Sequence, residues 1–298
     1  MSAIPDPSRR LRATLVGGIA ILLWSLLALF TTGAREIPPF QLLAMSFGVA
    51  FVLSGGVLAL RGRAALRRMR QPLGVWLLGV GGLFGYHCFY FVALRHAPAV
   101  DASLIAYLWP LLVVLFSSLL PGERLRWFHV AGGAMGLAGA VVLITQGGAV
   151  ALESRYLVGY LAALACALTW SGYSVLNRRF GQVPTDVVGG FCGVVAALGL
   201  LCHLLLEPTV VPSTGQLLAI VGLGIGPVGA AFFVWDYGTK KGNLQALGAM
   251  SYAAPLLSTM LLIAAGQAEA TWAVGVACAL IVGGAVVASR DFLGWRLP

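Results

Sequence analysis

Charge is scarce in this chain. Asp, Glu, Lys and Arg make up 10% of its 298 residues, where soluble domains carry about 25%. With 59% hydrophobic residues and a mean hydropathy of +0.92, too little polar surface exists to cover a water-soluble core. The shortage excludes a soluble fold and makes a bilayer the solvent. Lysine is rarer still, two against 17 arginines, and this usage beside abundant Ala and Gly fits a GC-rich bacterial genome.

Reactive and cofactor-binding patterns are missing too. Cys88, Cys166, Cys192, Cys202 and Cys278 form no CxxC pair and no zinc-like set, so no metal site is expected. They read as small buried hydrophobes. There is no HExxH, and Thr169 stands where a Gly-x-Ser-Gly loop around Ser171 would need glycine. An enzyme is therefore not expected, nor a cofactor. The GxGxxG at Gly224, Gly226 and Gly229 follows no strand and lies in an apolar run, so it is not a nucleotide loop. A cleavable signal is absent from the reading as well. After Arg9, Arg10 and Arg12 the apolar run at 13–32 has the roughly 20-residue length of a membrane span.

What is there is apolar sequence in long runs. Ten helical spans are expected, at 13–32, 38–60, 72–94, 99–119, 127–146, 156–177, 184–206, 214–238, 245–265 and 270–289. Each is continuously apolar rather than alternating, which favours helices over a barrel. Residues 1–12 and 291–298 are expected as tails. Of the 19 Lys and Arg, 16 fall on the face of the tails, and only Arg35, Arg95 and Arg155 on the other. By the positive-inside rule both termini are cytoplasmic, and the net charge of +9 reports topology rather than a nucleic-acid partner.

The two halves resemble each other at an offset of 145 residues. Gly79 and Gly81 fall on Gly224 and Gly226; Tyr107 and Pro110 fall on Tyr252 and Pro255; Trp127 falls on Trp272. "GAVV" recurs at 139 and 284, and "WS" recurs at 24 and 170 with one residue of slippage. Five spans per half flip the second copy, so an inverted repeat is expected, at 13–148 and 156–290, around a central cavity. Pro110 and Pro255 each lie inside the fourth span of a half. Each frees the carbonyl four residues earlier, Ala106 and Ser251. A freed carbonyl in lipid must face protein or a wet cavity, so this matched pair marks a helix-break or gating site. The alternative is a kink that only shapes packing.

Candidate lining residues follow from helical spacing. Cys166, Trp170, Tyr173 and Asn177 share one face, and Ser251, Pro255, Ser258 and Thr259 form a polar stripe. Trp24 lies about mid-bilayer, where aromatic belts do not reach, whereas Trp76, Trp127, Tyr156, Trp272 and Trp295 suit a belt. In "GYHCFYFVAL" Tyr86, His87 and Tyr90 can face inward while Phe89 points elsewhere. Buried hydroxyls and imidazole need partners that a polar ligand or water would supply. For His87 alone, a satisfied packing role is an equal reading. In "YLWP", Tyr107 and Trp109 are about 200° apart, so the proline kink must relax for both to face one cavity. Asp236 and Lys240 are four apart, either a helical ion pair or a coupling site. His203 with Glu207 is expected to be structural. Asp101 suits a helix-start acid, and Glu123 lies at a helix junction on the tail side. Gly132/Gly136, Gly81/Gly85 and Gly189/Gly193 are expected to let helices approach closely.

The segment "ALRHAPAVDASLIAYLWPLLVVLFSSLLPGERLRWFHVAGGAMGLAGAVVLI" resembles the EamA domain of the drug/metabolite transporter superfamily, through Ala93-Leu94, Pro110, Gly122-Glu123 and a Gly-rich fifth helix. The second half repeats these with Pro255, Glu269 and Gly283-Gly284. Within the superfamily "YLWP", the paired "WS" and the "YGxxxGN" pattern near Tyr237–Asn243 resemble the YddG-type aromatic amino-acid exporters. That resemblance implies export of Phe, Tyr and Trp across a bacterial inner membrane, with Tyr86, His87, Tyr90, Trp109 and Trp170 in the substrate cavity. Small multidrug relatives carry a proton on a first-span glutamate; this chain has none there. The expectation is thus an all-α, ten-helix secondary transporter working by alternating access as a monomer, whose partners are its small-molecule substrate and membrane lipid. Trp24, Tyr86, His87, Tyr90, Tyr107, Trp109, Trp170, Tyr173, Ser251 and Tyr252 would bind substrate. Its cavity is expected between the first, third, fourth, sixth, eighth and ninth spans. Two rivals stand beside it. A lipophilic-cation exporter would use the same rings by cation–π attraction and need a buried acid, and a membrane scaffold would carry no flux.

Overall fold

Prolines set several helix starts, because their fixed φ suits the first turn and the missing N–H is not needed there. Pro38 and Pro39 begin the helix Pro39–Leu60, Pro72 precedes the helix Leu73–His96 and Pro98 precedes the helix Ala99–Ala106. The computed structural model describes residues 7–149, 152–266 and 268–290. The tail at 291–298, Trp295 and most of the N-terminal tail lie outside the described residues. Helix α1 already begins at Pro7, so residues 7–12 are helical.

Among the described residues the chain is all helix, without a strand. Nine helices among the described residues are long and apolar enough to cross a membrane. The first is α1 (Pro7–Trp24) followed by α2 (Leu27–Gly33); then come α3 (Pro39–Leu60), a short α4 (Arg63–Arg67) and α5 (Leu73–His96). The fourth is split into α6 (Ala99–Ala106) and α7 (Trp109–Ser117). It is followed by α8 (Trp127–Thr145), α9 (Leu157–Leu176) and α10 (Val187–Leu206). The eighth is α11 (Thr214–Ile225), a π-turn and α12 (Ala231–Lys241); the ninth is α13 (Leu244–Ser251) and α14 (Ala253–Ala264). Helix α15 (Trp272–Ala288) is a shorter apolar helix of 17 residues, about 26 Å long. Leu15, Val52, Leu77, Leu204 and Leu218 are each at least 60% exposed, as a lipid-facing belt requires.

Both expected proline breaks lie slightly upstream of the prolines. Helix α6 ends at Ala106 and α7 starts at Trp109; α13 ends at Ser251 and α14 starts at Ala253. Two further breaks escaped the sequence reading. Ser25 interrupts the first span, its hydroxyl donating to the Leu22 carbonyl at 2.6 Å. Pro227 interrupts the eighth, where Gly226–Ala230 forms a π-helical turn.

Tight helix crossings organise the bundle. A Cβ on Gly17 of α1 would lie 2.9 Å from the Gly238 Cα of α12, and a Cβ on Gly284 of α15 would press on the Gly132 carbonyl of α8. Backbone approach of this kind replaces the hydrophobic effect as the packing force in lipid. Gly189 and Gly193 likewise accept Ser54 and Phe51 of α3. The Gly81/Gly85 pair is a correction: open space faces Gly81, and only Gly85 meets a neighbour, Thr169.

The two ends of the bundle differ. At the end bearing Arg10, the Glu123 carboxylate takes Arg10 Nη2 at 2.8 Å, Arg178 Nη2 at 3.3 Å and Gln245 Nε2 at 3.4 Å. The Arg178 guanidinium also donates to the Gly242 carbonyl, and the Asn243 N–H donates to Thr14 Oγ1 at 2.9 Å. These bonds tie α1, the loop after α7, the end of α9 and the start of α13 into one sealed face. At the opposite end Glu207 accepts from the N–H groups of Phe40 and Gln41 at 3.0 and 3.1 Å, capping α3, while His203 holds Glu207 and Thr209. The structural role expected of His203 is thereby accounted for.

Candidate functional site

Helical spacing places one aromatic face from each of several spans at the same depth. Trp24 of α1, Trp109 of α7, Trp170 of α9 and Trp235 of α12 form a closed set. Their six centroid separations run from 5.0 Å for Trp24–Trp235 to 6.3 Å for Trp170–Trp235. Most pairs are edge-to-face or tilted, the arrangement that ring quadrupoles favour. Phe232 joins Trp24 and Trp170, and Phe47 of α3 stacks on Phe232 at 5.7 Å. On α5, Tyr86 and Tyr90 stack at 6.2 Å, and Tyr86 tilts against Trp170 at 5.3 Å.

Polar atoms of this wall fall into two sets. Some are satisfied inside the protein: Trp24 Nε1 donates to the Pro227 carbonyl at 3.2 Å, Trp235 Nε1 to Ser174 Oγ at 3.0 Å, and His87 Nδ1 to the Leu83 carbonyl at 2.7 Å. Tyr90 Oη pairs with Ser103 Oγ at 3.2 Å. Among the described residues the hydroxyls of Tyr86 and Tyr107, the Nε2 of His87 and the indole N–H groups of Trp109 and Trp170 have no hydrogen-bond partner. None of them is among the sealed, unpartnered groups, which are Arg10 Nε, Tyr173 Oη and Arg178 Nε among the described residues. Donors and an acceptor without a protein partner thus lie on rings of the aromatic wall.

Other expected lining residues have different surroundings. Tyr252 is fully buried, lies against Gly136 of α8 and accepts the Leu111 N–H at 3.2 Å. It joins the two broken spans directly, and the Pro110 carbonyl lies at the Gly248 backbone. Ser251 is 0% exposed and donates to the Leu247 carbonyl of its own helix at 2.7 Å. Pro255 is half-buried on α14, and the Thr259 hydroxyl donates to its carbonyl. Tyr173 packs its ring over Gly82 with its hydroxyl enclosed and unpartnered. Asn177, expected to share the face of Trp170, instead donates to Asp236 at 3.0 Å and to Thr239 at 3.0 Å. Asp236 and Lys240 do form the i, i+4 ion pair, at 2.9 Å and buried, with Thr185 donating to Asp236 at 2.6 Å.

Trp235, Phe232 and Phe47 were missed from sequence. The repeat held the signal for two of them: at the offset of 145, His87 falls on Phe232 and Tyr90 on Trp235.

The model of the EamA-like transporter family matches residues 11–145 and, again, 157–290. The chain belongs to this family. It is 56% identical to a protein named aromatic amino acid exporter YddG from Ancylobacter novellus, over 94% of this chain and 98% of the relative. The exporter of the same name from Escherichia coli is 26% identical over 93% of this chain and 97% of its own length. A probable terminal-alkyne amino-acid exporter from Streptantibioticus cattleyicolor is 25% identical over 92% and 95%. A solved crystal structure, 55% identical and covering 95% of this chain and 98% of its own, superposes with a TM-score of 0.91. This EamA-like protein is thus a multi-pass membrane transporter by family, with its aromatic cluster in the middle of the bundle.

Proposed function

We propose that this protein exports aromatic amino acids across a bacterial inner membrane. The observation that carries the reading is the aromatic wall where the Tyr86 and Tyr107 hydroxyls, His87 Nε2 and the Trp109 and Trp170 indole N–H groups have no partner among the described residues. Rings pack against a planar substrate, each pair contributing about 0.5–1.5 kcal/mol beyond burial. Indole N–H groups suit a carboxylate; phenol oxygens and the Ala106 carbonyl freed by Pro110 suit an ammonium. The names of the relatives point to the same substrate class and to the outward direction. Ser251, Tyr252 and Tyr173 belong on this reading to the scaffold behind the wall, and Pro110 and Pro255 to its two hinges.

The working cycle is alternating access by a 5+5 inverted repeat, 13–148 and 156–290. Contacts that exchange under the offset support it. With the one-residue slippage of the first span, Gly17–Gly238 across α1 and α12 has its mate at Ala163 and Ala93 across α9 and α5, both 0% exposed in one cluster. Gly132–Gly284 has its mate at Ala277–Gly139, where a Cβ on Gly139 would lie 3.1 Å from the Ala277 carbonyl. Helix α15 supports a tenth crossing: Thr271 before it bonds Gln146 at 2.7 Å, and Arg290 after it covers the Trp127 and Phe128 rings at the far end of α8. With both termini cytoplasmic, the Glu123 network closes the inner gate.

A lipophilic-cation exporter needs a buried acid free to meet its cargo. Asp236 is already bonded to Lys240, Asn177 and Thr185, which weighs against it. The test is efflux of labelled phenylalanine from cells expressing the chain, beside Trp170→Ala and Tyr90→Ala. Wild type is expected to lower cellular label and both variants to lose the effect; unchanged accumulation with wild type rejects the substrate class.

A further inference from the structure

Away from the aromatic wall, on the sealed face, a cavity of about 500 Å³ opens between α3, α5 and α10. Phe51, Leu58, Leu66, Trp76, Gly190 and Val194 line it, with Ser54 beside them as a hydroxyl. Such a wall cannot hold ordered water, which needs about two to four polar partners. Its volume lies within the roughly 300–1,000 Å³ range of ligand pockets. Ser54 and Leu58 lie within six residues of the α3 end at Leu60, so the groove starts at the membrane interface and descends about 10 Å into the hydrocarbon. The occupant is therefore a hydrocarbon chain that enters from the interface.

The rim names its headgroup. Gly62, with φ +83°, turns the chain from α3 into α4 at a backbone conformation that side chains resist. The turn lays Leu66 and Met69 into the groove, and Arg61, Arg63, Arg67, Arg68 and Arg70 of the same short segment are exposed. One carboxylate faces these five guanidinium groups. Asp186 pairs with Arg61 at 3.1 Å and Arg68 at 3.3 Å, so Arg63, Arg67 and Arg70 have no ion-pair partner among the described residues. A basic rim over an apolar slot matches an anionic phosphate joined to an acyl chain.

We propose that this groove is a binding site for one anionic phospholipid, its acyl chain between α3 and α10 and its phosphate on Arg63 and Arg67. The site stands apart from the transport pathway and does not depend on the substrate assigned above.

The experiment uses the full chain in detergent, with phosphatidylglycerol or phosphatidylcholine of the same chains added back. Native mass spectrometry counts bound lipid, and thermal melts report stabilisation. Phosphatidylglycerol is expected to bind as one retained adduct and raise the melting temperature, and phosphatidylcholine to do neither. Arg63→Gln with Arg67→Gln is expected to weaken that adduct by about 30-fold, each arginine near an anionic headgroup contributing a factor of about five. Gly55→Leu fills the groove from a position with open space around it, and is expected to displace the lipid while leaving the lipid-free melt unchanged. Equal binding of the two lipids, or full phosphatidylglycerol retention by the arginine double variant, overturns the proposal. Should Gly55→Leu fail to fold, the arginine variant alone decides, because its side chains are exposed.

Discussion

Replacing Asp236 by asparagine keeps the side-chain shape and deletes one buried charge. Asp236 is 0% exposed and its carboxylate receives Lys240 Nζ at 2.9 Å, Thr185 Oγ1 at 2.6 Å and Asn177 Nδ2 at 3.0 Å. An amide there turns an NH₂ toward groups that already donate. Lys240, 6% exposed, is left with the Val183 carbonyl at 3.1 Å as its other contact. A surface pair would cost about 0–1 kcal/mol to break. Here a charge stays buried without its partner, and the loss is about 3–5 kcal/mol. Lys240→Met strands the carboxylate instead and costs a similar amount. The combined Asp236→Leu, Lys240→Met variant removes both charges and recovers most of either loss, because an apolar pair of similar volume needs no counter-charge. Thermal and denaturant unfolding of the detergent-purified protein measures all three. Single variants that each lose less than about 1 kcal/mol, or a double variant that loses the sum, would refute the argument.

Three further outcomes follow from the geometry. Tyr173→Phe deletes an enclosed hydroxyl without a partner and should leave stability unchanged or raise it by about 1 kcal/mol; a clear loss in the melt would contradict its placement. Tyr252→Phe removes the acceptor of the Leu111 N–H at the junction of the broken spans, with an expected loss of about 1–2 kcal/mol and unchanged substrate affinity in a binding titration. Gly238→Leu drives a side chain against the Gly17 backbone and should abolish phenylalanine flux at normal membrane levels of the protein; wild-type flux would show that this crossing does not hold the gate.

Much of the fold could be read from sequence because the bilayer imposes a simple rule. A continuous apolar run near 20 residues must be a helix, and the observed spans Leu73–His96, Trp127–Thr145 and Val187–Leu206 sit within a few residues of expectation. Proline breaks were legible for the same reason, since a missing N–H leaves a fixed trace. The Ser25 break was not, because a serine hydroxyl competing for a backbone carbonyl interrupts one helix and not another. Ser171 also donates to carbonyls of its own helix, Leu168 at 3.2 Å and Ala167 at 2.7 Å, and α9 runs straight through it. Side-chain direction at a break was the weak point. Tyr107 and Tyr252 are repeat mates, yet only Tyr252 has its hydroxyl bonded across the junction. Trp235 directly precedes the ionisable Asp236 in its span. Its alignment with Tyr90 in the repeat was the available clue.

Uptake by proteoliposomes tests the central claim most directly. Purified protein in vesicles should carry labelled phenylalanine at a rate above empty vesicles, with unlabelled tryptophan and tyrosine competing and alanine not. The Trp170→Ala protein should fail in the same vesicles. Flux equal to that of empty vesicles, or flux that alanine competes as well as tryptophan does, would contradict an aromatic wall as the substrate site.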